Sequence, residues 1–182
     1  LVPQDPVIFA ASARDNIRFG RLEASDAEVE EAARLAAAQA DALEAMIADS
    51  KKQWKKSDAF YETAVGLTTK PAGVLNNWGF SKLTRGDYEG AERLFVEAIT
   101  HDSTLFTAKN NLVLARGAQG RYQLPAVPMT QIEKAQLLHT LALAAIKKGD
   151  VATGRALLKE AIDTHPQYFE EAARSLRTLD QA

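Results

Sequence analysis

Cysteine is absent from all 182 residues, which excludes disulfides, thiolate metal sites and cysteine nucleophiles. No run of about 18 apolar residues occurs, so no helix is expected to span a bilayer. The opening from Leu1 shows neither the basic stretch nor the apolar core of a secretory signal. No strong charge of one sign is present either: 22 Lys and Arg face 24 Asp and Glu, a net −2. That balance gives no long-range attraction to nucleic acid or an anionic membrane surface. The only histidines, His101, His139 and His165, are scattered and form no zinc or Ser-His-Asp motif. What remains is an ordinary core-forming composition, 46% apolar and 25% charged, at a length fitting one domain or one plus a fragment.

The charge that is present is unevenly placed. Residues 1–48 hold four Arg against nine Asp and Glu, a net of −5, whereas residues 49–182 carry the remaining 18 basic and 15 acidic residues, a net of +3. Composition shifts at the same place, from Ala and Glu to a lysine cluster, and marks a junction near residue 48. Before it, Pro3 and Pro6 predict an extended opening. Ser12 and Asp15 predict a short helix, Ser12 to Phe19, closed by Gly20. Ser25 and Glu28 form a capping box ahead of a helix of about 23 residues. Val29, Ala33, Ala36, Ala40, Leu43 and Ile47 follow it in three- and four-residue steps and predict its packing stripe.

Residues 1–43, with PQDP, then Phe9-Ala10, then DNIRFG, then the capped helix, resemble the Q-loop and helical subdomain of an ABC-exporter nucleotide-binding domain. The resemblance implies a magnesium- and phosphate-proximal role for Gln4. However, nucleotide binding in that family needs a G-x-x-x-x-G-K-[ST] loop whose N–H groups and lysine hold the phosphates, and the chain has none. Residues 1–48 are therefore read as a helical leader without ATPase function.

After residue 48 the chain repeats. Asn76-Asn77 and Asn110-Asn111 stand 34 residues apart, as do Gly86 and Gly120, and Tyr88 and Tyr122. This is the period of a helix–turn–helix tetratricopeptide unit. Counting from Ala72, Gly79 is position 8, Ala91 is 20, Phe95 is 24 and Ala98 is 27. Small residues there let two helices cross closely while the aromatic fills the adjoining hole. A weaker unit covers about 38–71, with Trp54, Ser57, Tyr61 and Ala64 at positions 17, 20, 24 and 27. Its first helix is the end of the long leader helix. A last unit begins near Ala135, with Ala142 at position 8 and Gly154, Leu158 and Ala161 at 20, 24 and 27. Thr130 and Glu133 cap its first helix. A final helix, about Gln167 to Leu179, reads as a terminal cap. The unit from Phe106 lacks its second helix, because Pro125 and Pro128 cannot sit inside one. An extended crossover is expected there, serving as a connector or as a notch for a ligand strand.

Within residues 57–182, the blocks VLNNWGFSKLTRGDYEGAERLFVEAI, KNNLVLARGAQGRYQLPAVPMT and RALLKEAIDTHPQYFEEAARSL resemble the tetratricopeptide protein of Tad-type (Flp) tight-adherence pilus systems. The resemblance implies a secreted lipoprotein that serves pilus assembly, although no lipobox cysteine is present. It implies a periplasmic or outer-membrane-associated location; without it the chain would be cytoplasmic.

The expected fold is an all-α, tetratricopeptide-like solenoid of about nine helices, with a leader at 1–48, repeats at 49–182 and a C-terminal capping helix. The expected activity is protein or peptide binding without catalysis, cofactor, metal or nucleic acid. Asn76, Asn77, Phe80, Asn110, Asn111 and Leu114 are expected on or near the concave groove. Asn77 and Asn111 hold the position at which the family grips a peptide backbone, a task suited to an amide that donates and accepts. The alternative is that these amides bond neighbouring helices. Lys51, Lys52, Lys55 and Lys56 around Trp54 are read as a solvated helix start. An incomplete first unit would leave an apolar end able to pair with a second copy. Two other functions stay open: a chimera of helical fragments with no selected function, and a remnant ATPase subunit.

Overall fold

The computed structural model describes Ser12, Ile17, Arg18, Arg21 and residues 23–181. Among these residues there are eight α-helices and no strand. They are α1 (Asp26–Ser50), α2 (Trp54–Leu67), α3 (Ala72–Thr84), α4 (Tyr88–His101), α5 (Phe106–Ala118), α6 (Gln131–Lys147), α7 (Val151–Thr164) and α8 (Glu170–Asp180). They pack as sequential antiparallel hairpins, α1 with α2, α3 with α4 and α6 with α7. A ninth helix was expected over Ser12–Phe19; it lies mostly outside the described residues, of which Ile17 and Arg18 are helical. Gln4 lies outside them too. No described helix is long and apolar enough to cross a membrane. The described residues form two compact units that divide between Thr69 and Lys70. The composition shift near residue 48 falls inside the first unit, at the turn from α1 to α2.

In the first unit α1 begins as its sequence dictates. Ser25 Oγ accepts from the Glu28 N–H at 3.3 Å, and Glu28 accepts from the Ser25 N–H at 2.8 Å. These bonds, with Arg21 nearby, hold the Glu28 carboxyl below its usual range. The buried face of α1 corrects the expected stripe. Of that stripe Val29 is buried and Ala33 half-buried, whereas Ala36, Ala40, Leu43 and Ile47 are exposed; Ala38, Ala45 and Ala48, on another face, are buried instead. Both stripes are apolar. α2 packs on the one with the smaller side chains, because alanine lets two backbones approach. From α2, Ser57, Tyr61 and Ala64 are buried against it. The Tyr61 hydroxyl donates to Asp49 at 3.3 Å; burial, then the Asp49 charge, pushes its pKa up.

The turn after α1 shares its geometry with later turns. Residues 52, 86 and 120, spaced 34 apart, all have left-handed backbone: Lys52 at φ 56°, Gly86 at 86° and Gly120 at 75°. In each, the next N–H reaches back five residues, as Gln53 to the Ala48 carbonyl and Asp87 to that of Lys82. This is the Schellman closure of a helix. Glycine adopts it freely, and lysine does not.

In the second unit the α3–α4 hairpin crosses at Gly79. A methyl group there would lie 2.6 Å from the Phe95 ring, and Ala91, Phe95 and Ala98 are fully buried around it. Asp87 starts α4 by accepting from the Gly90 N–H at 3.0 Å. The α6–α7 hairpin repeats the arrangement, with Gly154 of α7 pressed against Ile146 and the Ala142 carbonyl. Between them α5 packs on α4 and directly on α6. Residues 119–130 are non-helical, as the prolines require. Leu124 and Met129 from this crossover pack on Val113, Leu137 and Leu141, and Pro125 is buried. The crossover therefore fills core space that a second helix would otherwise occupy. α8 closes the unit by burying Ala172 and Ala173, with Phe169 just before it, against α7 and its core.

Two substitutions test this framework. Gly79→Ala should lower stability by about 2 kcal/mol, since overpacking against a fixed ring outweighs a gain of about 1 kcal/mol in helix propensity. Lys52→Gly should raise stability by about 1 kcal/mol by relieving left-handed backbone. Urea unfolding followed by circular dichroism measures both; a stabilised Gly79→Ala or a destabilised Lys52→Gly contradicts the assignment.

Candidate functional site

The two asparagine pairs have different fates. Asn76 of α3 and Asn111 of α5 are buried, and the Asn111 amide donates to Asn76 Oδ1 at 3.0 Å. One step along, Thr140 of α6 donates its hydroxyl to Asn110 Oδ1 at 2.8 Å. In both cases the acceptor stands at position 5 of one unit and the donor at position 6 of the next. The result is a polar ladder, α3 to α5 to α6, in which each amide oxygen is satisfied by the following helix. Asn76 and Asn111 are thus engaged with each other. Asn77 is exposed and accepts from Asn76 at 3.5 Å.

Three large apolar side chains share position 9. Phe80 of α3 is 49% exposed, Leu114 of α5 is 36% exposed and Leu143 of α6 is 45% exposed. In the first unit the same position is Met46, also exposed at 50%. Position 8 at the same helix crossings is Gly79 and Ala142, both buried. Packing one residue inward turns its neighbour outward, because successive residues on a helix lie about 100° apart.

Between α5 and α6 lies a cavity of about 650 Å³. Leu114 and Leu143 line it with Asn110 and Thr140, Tyr88 from the start of α4, and Lys147 near the end of α6. The two helices come together at its edge, where a methyl group on Gly117 would lie 2.7 Å from the Ala144 Cβ. Lys148 donates to the Ala118 carbonyl at the end of α5. Lys147 is exposed and forms no ion pair among the described residues. Of the six residues expected at a groove, Asn110 and Leu114 line this cavity and Phe80 is exposed on α3. Leu143, Thr140, Tyr88 and Lys147 were not foreseen, although Leu143 follows Ala142 in the repeat count and could have been found from it.

Two charged clusters position the walls. Lys109 of α5 is only 2% exposed and donates to both oxygens of Glu133 at 2.9 and 3.1 Å. Glu133 also completes the Thr130 capping box of α6, accepting from the Thr130 N–H at 2.7 Å. Burial alone would raise the Glu133 carboxyl; the Thr130 N–H and the Lys109 ammonium outweigh it and hold it below its ordinary 4.5. On the other side, Glu92 of α4 accepts from Arg116 at 3.3 Å, from Gln119 at 2.6 Å and from Arg121.

Elsewhere, Lys51, Lys52, Lys55 and Lys56 are exposed beside a half-buried Trp54, and Lys56 lies 5.6 Å from the Phe60 ring centre. The histidines are less scattered in space than in sequence. His139 meets the Phe169 ring edge-on at 5.5 Å and His165 stacks on it at 4.9 Å. Burial lowers the His139 pKa. Among the described residues no three His, Asp or Glu side chains converge as metal ligands. No family model matches the chain, and no curated protein matches it.

A carboxylate with a depressed pKa adds stability above its ordinary value and loses it as pH falls through the folded value. Glu133→Gln leaves the Lys109 ammonium buried without its counterion, and should cost about 3 kcal/mol at neutral pH. The gap to the parent should shrink as pH falls below the ordinary carboxylate range and through the lowered pKa of Glu133, which then becomes protonated itself. Lys109→Met combined with Glu133→Gln should recover most of the loss. Chemical denaturation at neutral and acid pH decides; a gap independent of pH contradicts the assigned pair.

Proposed function

We propose that this chain is a tetratricopeptide-type repeat scaffold that binds an extended segment of a protein partner and catalyses no reaction. The observation that carries the reading is the row of exposed apolar side chains at position 9, Phe80, Leu114 and Leu143, on three helices tied in register by the Asn76–Asn111 and Asn110–Thr140 bonds. Exposed apolar groups aligned at one repeat position form a binding face in stacked helical repeats. The cavity between α5 and α6 accommodates one or two side chains of a bound segment. Its side-chain polar groups are an amide and a hydroxyl already bonded to each other, the Tyr88 phenol, and the Lys147 and Lys148 ammoniums. None is a nucleophile beside a base, the arrangement covalent catalysis needs.

The ligand is an extended peptide with large apolar side chains for Leu114 and Leu143 and an acidic residue for Lys147. The tight-adherence pilus resemblance of residues 57–182 supports a pilus-assembly component as the partner. The leader resembling an ABC subdomain has no phosphate loop, and supports a helical spacer rather than an ATPase.

Peptides selected from a displayed random library on the intact chain provide the test. Leu114→Asp and Leu143→Asp change exposed positions, so circular dichroism should stay the same, while affinity for the selected apolar–acidic peptides should fall roughly tenfold or more. Lys147→Glu should weaken them less and reduce the salt dependence. Equal affinity for all three variants would remove the groove from the function.

A further inference from the structure

α5 turns Ala108, Asn111 and Ala115 to one face, all three buried, and packs on α3 and α4, with Asn111 bonded to Asn76. These are positions 3, 6 and 10 of the repeat count. They form the face on which α5 receives the α3–α4 hairpin before it. In α6 the corresponding Leu137 is buried, and Thr140 and Ala144 are half-buried. In α1 the same positions are Ala40, Leu43 and Ile47, and all three are exposed, Leu43 at 61%. Ala36, also exposed, extends the stripe by one turn. α1 thus presents a receiving face with larger aliphatic side chains than α5 carries, open to solvent.

We infer that this face pairs with α1 of a second copy of the chain, antiparallel about a two-fold axis passing between Ala40 and Leu43. That axis sets Ala40 against Leu43 and Ala36 against Ile47, small against large in both halves. Small residues facing large ones let two helices mesh at close distance. Charge selects the direction. Asp26, Glu28, Glu30 and Glu31 occupy the first two turns of α1, and Lys51, Lys52, Lys55 and Lys56 follow its last turn. Antiparallel pairing sets the acidic end of each α1 beside the basic end of the other. Parallel pairing would set like on like, which is destabilising. The acids already hold surface partners, such as Arg18 on Asp26 and Arg21 on Glu28, but exposed ion pairs are weak and exchange readily. A self-complementary patch of this kind closes as a two-fold dimer and stops there.

One helix pair is a small interface, so association should depend on concentration, with a dissociation constant on the order of micromolar. Sedimentation velocity on the full chain should show mass rising from 19.8 kDa toward twice that value across the micromolar range. Leu43→Glu with Ile47→Glu should stay monomeric with unchanged helicity, and high salt should weaken the parent dimer. Because the chain has no cysteine, introduced thiols report alone. Ala36→Cys with Ile47→Cys should form a disulfide-linked dimer on oxidation, whereas Ala36→Cys alone should not. A parent that is monomeric throughout, with the face covered by the chain's own N-terminal residues or awaiting another protein, overturns the proposal. Cross-linking by Ala36→Cys alone overturns the antiparallel arrangement.

Discussion

The rest of the structure depends on the near absence of side-chain bulk where helices cross. Helices bearing ordinary side chains pack about 8–10 Å apart. Gly79 beneath the Phe95 ring, Gly154 against Ile146 and Gly117 against Ala144 remove bulk at the point of closest approach. The same close approach fixes the rotation of each helix about its axis. Once Gly79 or Ala142 faces inward, Phe80 or Leu143 must face outward. The exposed apolar row is thus a geometric consequence of the crossings, and the proposed binding face follows from the packing constraint.

A second layer of control is polar. The buried amide of Asn111 has few satisfactory partners, and a shift of α5 by one residue would leave Asn76 and Asn111 unpaired at a desolvation cost of about 1–3 kcal/mol. Apolar contacts alone tolerate such slips more readily. The Asn110–Thr140 bond and the buried Lys109–Glu133 pair do the same between α5 and α6. They matter most there, because no second helix follows α5 to hold the two apart. Leu124, Pro125 and Met129 fill the space the missing helix leaves. The Pro-rich segment reads structurally as a packed connector, and the cavity opens where α5 and α6 meet directly.

The two proposed surfaces share one origin. α5 and α6 each have a face for the element before them and a row of apolar side chains left over. α5 and α6 have the first face occupied and expose the second. α1 exposes both, with Leu43 and Ile47 on one and Met46 on the other. The face proposed for a second copy and the face proposed for a ligand therefore use different residues.

Much of this was written in local sequence. The capping boxes at Ser25 and Thr130, the recurrence of Gly86 and Gly120, the break at Pro125 and Pro128, and the Gly79–Ala91–Phe95–Ala98 pattern each act over a few residues or one repeat. Short-range chemistry and strict periodicity therefore exposed them. Other features needed the fold. α1 carries two apolar stripes of similar quality, and only the docking of α2 chose the alanine-rich one. Four asparagines look alike in sequence, yet tertiary packing buried Asn76 and Asn111 against each other, left Asn77 exposed and put Asn110 at the cavity. Lys109 reads as one more surface lysine until α6 brings Glu133 to it. The sequence by itself determined where helices start, stop and cross, because those are questions of backbone and side-chain size. Only the tertiary structure decided which face of each helix is used and which polar groups meet, because those depend on neighbours far apart along the chain.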